Sequence, residues 1–131
     1  MSFFPIFLTL DQVLSLHILQ INEFGGLHGV KNENLLISAL EQPEIGFGES
    51  YLCQDYYEMA AAYLFHLVKN HAFHDGNKRI AALVSAVFLQ VNGLMVTADE
   101  TEFERIVLDA AESLITKSDI ADFFRKNTMK Y

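Results

Sequence analysis

Residues 70–81 read Asn-His-Ala-Phe-His-Asp-Gly-Asn-Lys-Arg-Ile-Ala, so two histidines, an aspartate, a glycine, an asparagine and two cations crowd ahead of a strongly apolar run. If that run is a helix, the crowded residues sit at its amino end. There the first backbone N–H groups lack partners and the macrodipole places a partial positive charge. Gly76 lets the chain turn and approach a ligand with no Cβ in the way. Lys78 and Arg79 fall in the first turn, where the dipole disfavours cations unless an anion offsets them. Between Glu58 and Asp99 the sole acidic residue is Asp75, so a positive island interrupts an acidic chain. Such an island suits a phosphate or polyphosphate. Asp75, an isolated carboxylate beside it, suits a Mg²⁺ ion that bridges phosphate oxygens. His71 carries the side chain best able to accept a proton near neutral pH. Phe73, between polar neighbours, is expected to point inward and anchor the loop. Together these describe transfer of a phosphoryl-type group to a hydroxyl. The same residues would also serve as a polar turn between helices, and their types alone leave both readings open.

The elements that must position this loop follow from caps and periodicity. Thr9 with Gln12 forms a capping-box pattern, and Leu10, Val13, Leu14, His17, Ile18 and Ile21 recur at helical spacing until Gly25-Gly26. A short helix is expected after Asn32, carrying Leu35, Leu36 and Leu40 and stopping before Pro43. Residues 43–53, "PEIGFGESYLC", read as a loop or small hairpin. Asp55 and Glu58 open a helix reaching about Asn70. "NKRIAALVSAVFLQVNG" is apolar almost all round and should form a central, buried helix closing at Gly93. "LMVTA" reads as an extended link. Thr97 and Glu100 are expected to cap a helix with Phe103, Ile106, Val107, Ala110 and Leu114 on one stripe. Ser118 or Asp119 should start a last helix with Ile120, Phe123 and Phe124. Six helices with short connections imply an all-α fold.

A chain of 131 residues is sized for one domain, spanning 1–131, and its 51% hydrophobic and 20% charged content is that of a folded protein. Nine basic against 17 acidic residues give a net charge of −8, which argues against nucleic acid or an anionic membrane as the main partner. The single cysteine, Cys53, cannot form an internal disulfide. No run reaches the length of a membrane span, and the apolar N-terminus lacks the basic region and cleavage site of a signal peptide. A cytoplasmic location is expected.

His71-Ala72-Phe73-His74-Asp75-Gly76-Asn77-Lys78-Arg79 resembles the Fic/Doc motif, His-x-Phe-x-Asp-Gly-Asn-(Gly or Lys)-Arg, with all seven specified positions of the nine matching. "EFGGLHGVKNENLLISALEQP" is similar to the segment that precedes the motif helix in the Doc branch, and "FLQVNGLMV" with the acidic helix after it resembles the C-terminal half. The likeness covers nearly the whole chain. It implies a Fic/Doc-like bundle of about six helices around a central buried helix. His71 would be the base that takes the proton from a target hydroxyl, Phe73 the buried anchor and Asp75 the Mg²⁺ ligand. Gly76 and Asn77 would form the anion-hole turn, and Arg79 would bind the nucleotide phosphates. Lys78 stands where AMP-transferring Fic proteins usually carry glycine. The Doc branch has lysine there, implying phosphorylation of a protein hydroxyl from ATP or another nucleoside triphosphate. The implied target is a translation elongation factor and the implied outcome growth arrest, as by the toxin of a toxin–antitoxin pair. Ala72 replaces a proline common in Fic proteins. No serine or threonine has a glutamate four residues later, as in the family's inhibitory helix, so restraint is expected in trans from a Phd-like antitoxin. Phe47, in "PEIGFGESYLC", is expected on a flap over the target segment.

Other readings are available for the same residues. A Fic-type adenylyltransferase would transfer AMP instead, the choice depending on which way round the nucleotide sits. A metal-dependent phosphohydrolase could use "HDGN" as a His-Asp pair with His71 or His66, but no distant carboxylate has obvious ligand spacing. An inactive relative or an interaction module would keep the turn for folding or for a partner helix. His17 and His66, among apolar neighbours, are expected to be satisfied core or boundary residues, and His28 a loop residue. Cys53 reads as a small buried hydrophobe, and the tyrosines and phenylalanines as core.

Overall fold

Capping chemistry decides where most of the chain turns helical. A computed structural model describes residues 3–48 and 50–131. It holds α1 (Leu10–Phe24), α2 (Glu33–Glu41), α3 (Tyr56–Asn70), α4 (Asn77–Val91), α5 (Glu100–Ala111) and α6 (Lys117–Lys126). A single 3-10 turn covers Gln42–Glu44, and the short strands are β1 (Gly46–Phe47), β2 (Ser50–Tyr51), β3 (Leu94–Val96) and β4 (Thr128–Lys130). The fold is all-α with two small antiparallel ribbons, β1–β2 and β3–β4. The expected hairpin at 43–53 is therefore present, with Gly46 opposite Tyr51 and Phe47 opposite Ser50.

Thr9 and Gln12 close the capping box of α1, Asn32 caps α2, and the Asp55 side chain accepts from the Glu58 amide to start α3. Two expected caps are corrected. Helix α5 is capped by Asp99, whose carboxylate accepts from the Glu102 amide, because Thr97 is engaged in strand-like pairing through its amide to the Asn127 carbonyl. Helix α6 starts earlier than Ser118, at a Thr116–Asp119 capping box. Leu114 lies beyond α5 and is 71% exposed, so it is not part of that helix's apolar stripe. "LMVTA" is more than a link. Its Leu94–Val96 pairs with Thr128–Lys130, a strand the sequence did not suggest.

The expected central helix α4 packs on α1, α3, α5 and β3. It shares the centre with α3, which touches α2, α4, α5 and α6 and buries Met59 through Leu64 in one unbroken stretch. Three alanines, Ala60, Ala61 and Ala62, let the neighbouring helices come close to α3 on several sides. Phe73, Phe88 and Phe124 are fully buried, as is Tyr63, whose hydroxyl accepts from the Leu8 amide. Burial pushes the Tyr63 phenol far up, so it remains neutral. Among the described residues no helix is long and apolar enough to cross a membrane.

Candidate functional site

The loop between α3 and α4 is set by two left-handed residues. His71 ends α3 with φ 48°, and Gly76 precedes α4 with φ 76°. A non-glycine residue at positive φ is uncommon and tends to mark a functional site. At Gly76 the positive φ favours glycine, and a Cβ there would lie 3.2 Å from the Ile21 side chain and 3.5 Å from His17 Nε2, so Ile21 would have to give way. The interior of the loop is braced by Asn77. Its Oδ1 accepts the Phe73 amide and its Nδ2 donates to the Phe73 carbonyl, each at 3.0 Å. Asn77 is only 6% exposed. Its side chain is thus spent inside the loop, and only its backbone faces the turn expected to hold an anion. Asn77 therefore belongs to the turn through its backbone, while its side chain holds the loop together.

Phe73 is the buried anchor expected, and its ring stacks on His17 at 3.8 Å with planes 13° apart. His17 Nε2–H donates to the Asp75 carbonyl at 2.8 Å, which fixes its tautomer. Burial lowers the His17 imidazole from its ordinary range, with the bond to Asp75 pulling the other way, so it supports the loop as a neutral donor.

A second strip of chain, the α1–α2 connection, wraps the loop. The Leu27 amide donates to Asp75 Oδ2 at 2.6 Å. Gly26, at φ 119°, passes so close that a Cβ would meet the Asp75 Cβ at 3.1 Å. Val30 and Phe73 form an antiparallel bridge, the Lys31 and Asn32 amides both donate to the Ala72 carbonyl, and the His74 amide donates to that of Gly29. Lys31 Nζ lies 3.2 Å from His71 Nδ1. The Arg79 guanidinium stands 4.7 Å over the Phe24 ring. His17, Phe24, Leu27 and Lys31 were not singled out by the sequence as site residues. The available signal was the Gly25-Gly26 pair, which reads as a helix stop but also permits this close approach.

His71, Asp75, Lys78 and Arg79 are thereby brought together, all exposed, around the start of α4. Phe47 lies apart on β1 and is 82% exposed. No side chain caps α4, and no acidic residue lies in its first turn. All three ion pairs among the described residues belong to Arg125, so Lys31, Lys78 and Arg79 have no carboxylate within reach. Open amides, a dipole's positive end and unpaired cations make a place for an anion. No group of three or more histidine, cysteine, aspartate or glutamate side chains converges among the described residues. That geometry does not build a transition-metal centre from "HDGN". It fits a Mg²⁺ ion held by one carboxylate and by oxygens of a phosphate ligand. A hollow of about 380 Å³ beside the loop is walled by Leu14, His17, Ile18, His28, Gly29, Val30 and Phe73. Its apolar lining suits hydrocarbon rather than phosphate.

Comparison with known proteins gives a consistent result. The profile of the Fic/DOC family matches residues 7–89. The chain is 30% identical over 118 residues to "Protein kinase doc" of Escherichia phage P1, covering 88% of this chain and 90% of that protein. It is 35% identical over 94 residues to "Toxin Doc" of Mycolicibacterium smegmatis, covering 72% of this chain and 68% of that one.

Proposed function

This chain belongs to the Fic/DOC family, and from that premise we propose that it is a Doc-like toxin that phosphorylates a hydroxyl of a target protein. The donor is ATP or another nucleoside triphosphate, the target a translation elongation factor, and the restraint a Phd-like antitoxin acting in trans in the cytoplasm. The observation that carries the reading is the start of α4. It is uncapped and flanked by the unpaired cations Lys78 and Arg79, with Asp75 and His71 on the same short loop. The names of two relatives, a protein kinase and a toxin, support it.

Each side chain then has a task its surroundings allow. The amides of Gly76 to Arg79 and the two cations hold the phosphate chain against the positive end of the helix. Asp75, kept in place by the Leu27 amide, would hold Mg²⁺. When bound, that ion neutralises charge on the phosphate oxygens. His71 accepts the proton of the target hydroxyl. The hydroxyl oxygen bonds to the terminal phosphorus, and the bond from that phosphorus to the bridging oxygen breaks, leaving a nucleoside diphosphate. Phe47, exposed on the β1–β2 hairpin, borders the target segment.

The test is mass spectrometry of a bacterial translation extract incubated with the protein, ATP and Mg²⁺. A gain of one phosphate on an elongation factor is expected. His71→Ala should cut the rate by about 100-fold or more without changing the fold. A gain of one AMP would replace this reading with adenylyl transfer, and no modification of any protein would overturn enzymatic function.

A further inference from the structure

Lys31 is the side chain closest to the heart of this site that neither the motif nor its spacing assigns. It is held there by more than its own contact. The amides of Lys31 and Asn32 both donate to the Ala72 carbonyl, at 2.7 and 3.0 Å, and the adjoining Val30–Phe73 bridge aligns residues 29–32 antiparallel to 72–74. That register sets residue 31 opposite Ala72, one residue from His71, and Lys31 Nζ approaches His71 Nδ1 at 3.2 Å.

An ammonium group has three donors and no acceptor, so in this contact Nδ1 must accept. A neutral imidazole has one ring nitrogen with a lone pair and one carrying hydrogen. With Nδ1 accepting from Lys31, Nε2 carries the hydrogen, and the ring's only proton-accepting position is occupied. At the same time the Lys31 ammonium has no carboxylate within reach among the described residues. It lies at one end of the loop whose other end is the open start of α4.

We propose that Lys31 is a positioning residue of the reaction centre that holds His71 at rest and leaves it for the donor's phosphates. Binding of the polyphosphate then frees His71 Nδ1 to take the hydroxyl proton, so the base becomes available only when the donor is in place. This rests on the phosphotransfer reading for its purpose, while the resting contact stands independently of it.

Long-range ¹H–¹⁵N correlation of the histidine rings in the full chain tests it, with the His71 signals assigned by their loss in His71→Gln. At about pH 8, above the ordinary histidine range, wild type should show Nδ1 as a hydrogen-bonded acceptor and Nε2 as the protonated nitrogen. Lys31→Met should move the Nδ1 signal to that of an unbonded acceptor, and Lys31→Arg should largely restore it. Adding inorganic tripolyphosphate should carry the wild-type signal toward the Lys31→Met position while leaving Lys31→Met itself nearly unchanged. In turnover, Lys31→Met should raise KM for the nucleotide about tenfold, the effect of one charge-assisted contact, with kcat at saturating donor largely kept. A His71 spectrum indifferent to Lys31→Met, or a wild-type Nδ1 signal indifferent to tripolyphosphate, would overturn the proposal. The spectra need no target protein, so an inactive enzyme would defeat the phosphotransfer reading and still leave the Lys31 contact to be judged.

Discussion

Helix α6 and helix α4 begin in opposite ways. At α6, Thr116 and Asp119 form a reciprocal capping box, so the Thr116 and Asp119 amides are satisfied and a carboxylate faces the dipole. At α4 a glycine occupies the cap, no side chain accepts from the first turn, and Lys78 and Arg79 stand where acids are favoured. Helices α1, α2, α3 and α5 follow α6, each with a side-chain cap and an acidic residue in its first turn. Five helix starts thus use the stabilising arrangement and one forgoes it. What is left open at α4 is binding capacity, which a cap would have consumed. The two starts also share a device. Lys117 of α6 donates to His66 Nε2 at 2.9 Å, much as Lys31 meets His71, but the α6 pair flanks a half-buried histidine rather than an exposed one.

The contrast can be broken most severely by putting an acid at the start of α4. Gly76→Asp would set a carboxylate against Ile21 and His17, at the helix end proposed to hold phosphate, and transfer should fall on the order of 100-fold. Gly76→Ala is the control, since it carries the same backbone cost of about 1–2 kcal/mol for positive φ without the charge. Comparable losses in the two variants, measured as transfer rate with unfolding curves alongside, would show strain rather than charge to be responsible. The reverse change is smaller. Thr116→Ala removes a cap from α6 and should cost about 1 kcal/mol of stability, read by denaturant unfolding, while leaving transfer intact.

The smallest effect concerns the two lysine–imidazole pairs. Burial, with help from Lys117, pushes His66 down to about 4 from the ordinary 6.5. Between those values the unfolded chain binds a proton that the folded chain refuses. Stability should therefore be fully present above pH 6.5 and decline as pH falls toward 4. His66→Gln should flatten the melting-temperature profile across that window. An unchanged slope would mean that other groups set it.

The loop and the early helices were legible because their causes are local. Thr9 with Gln12, Asn32 with Leu35, and Asp55 with Glu58 act across three residues, and the motif from His71 to Arg79 is contiguous. Near α5 and α6 the same kind of pattern offered competing starts. Thr97 was drawn into pairing with Asn127, and Asp99 took the cap. Asn77 illustrates a different gap. Its residue type placed it in the turn, but only the fold shows that its side-chain amide serves the Phe73 backbone, whose buried amide and carbonyl need partners.

Order along the chain was enough to establish the kind of fold, the caps of α1, α2 and α3 and the family motif ahead of α4, since each rests on residues close together in sequence. Folding alone settled that Leu27 steadies Asp75, that His17 lies beneath Phe73, that Lys31 reaches His71 and that Arg79 rests on Phe24. Those partners are separated by 40 to 56 positions, apart in sequence and joined only when α1, its trailing connection and the α3–α4 loop pack together. Long-range pairing is chosen by burial and by the need to satisfy backbone groups, and neither is written in any one stretch of residues.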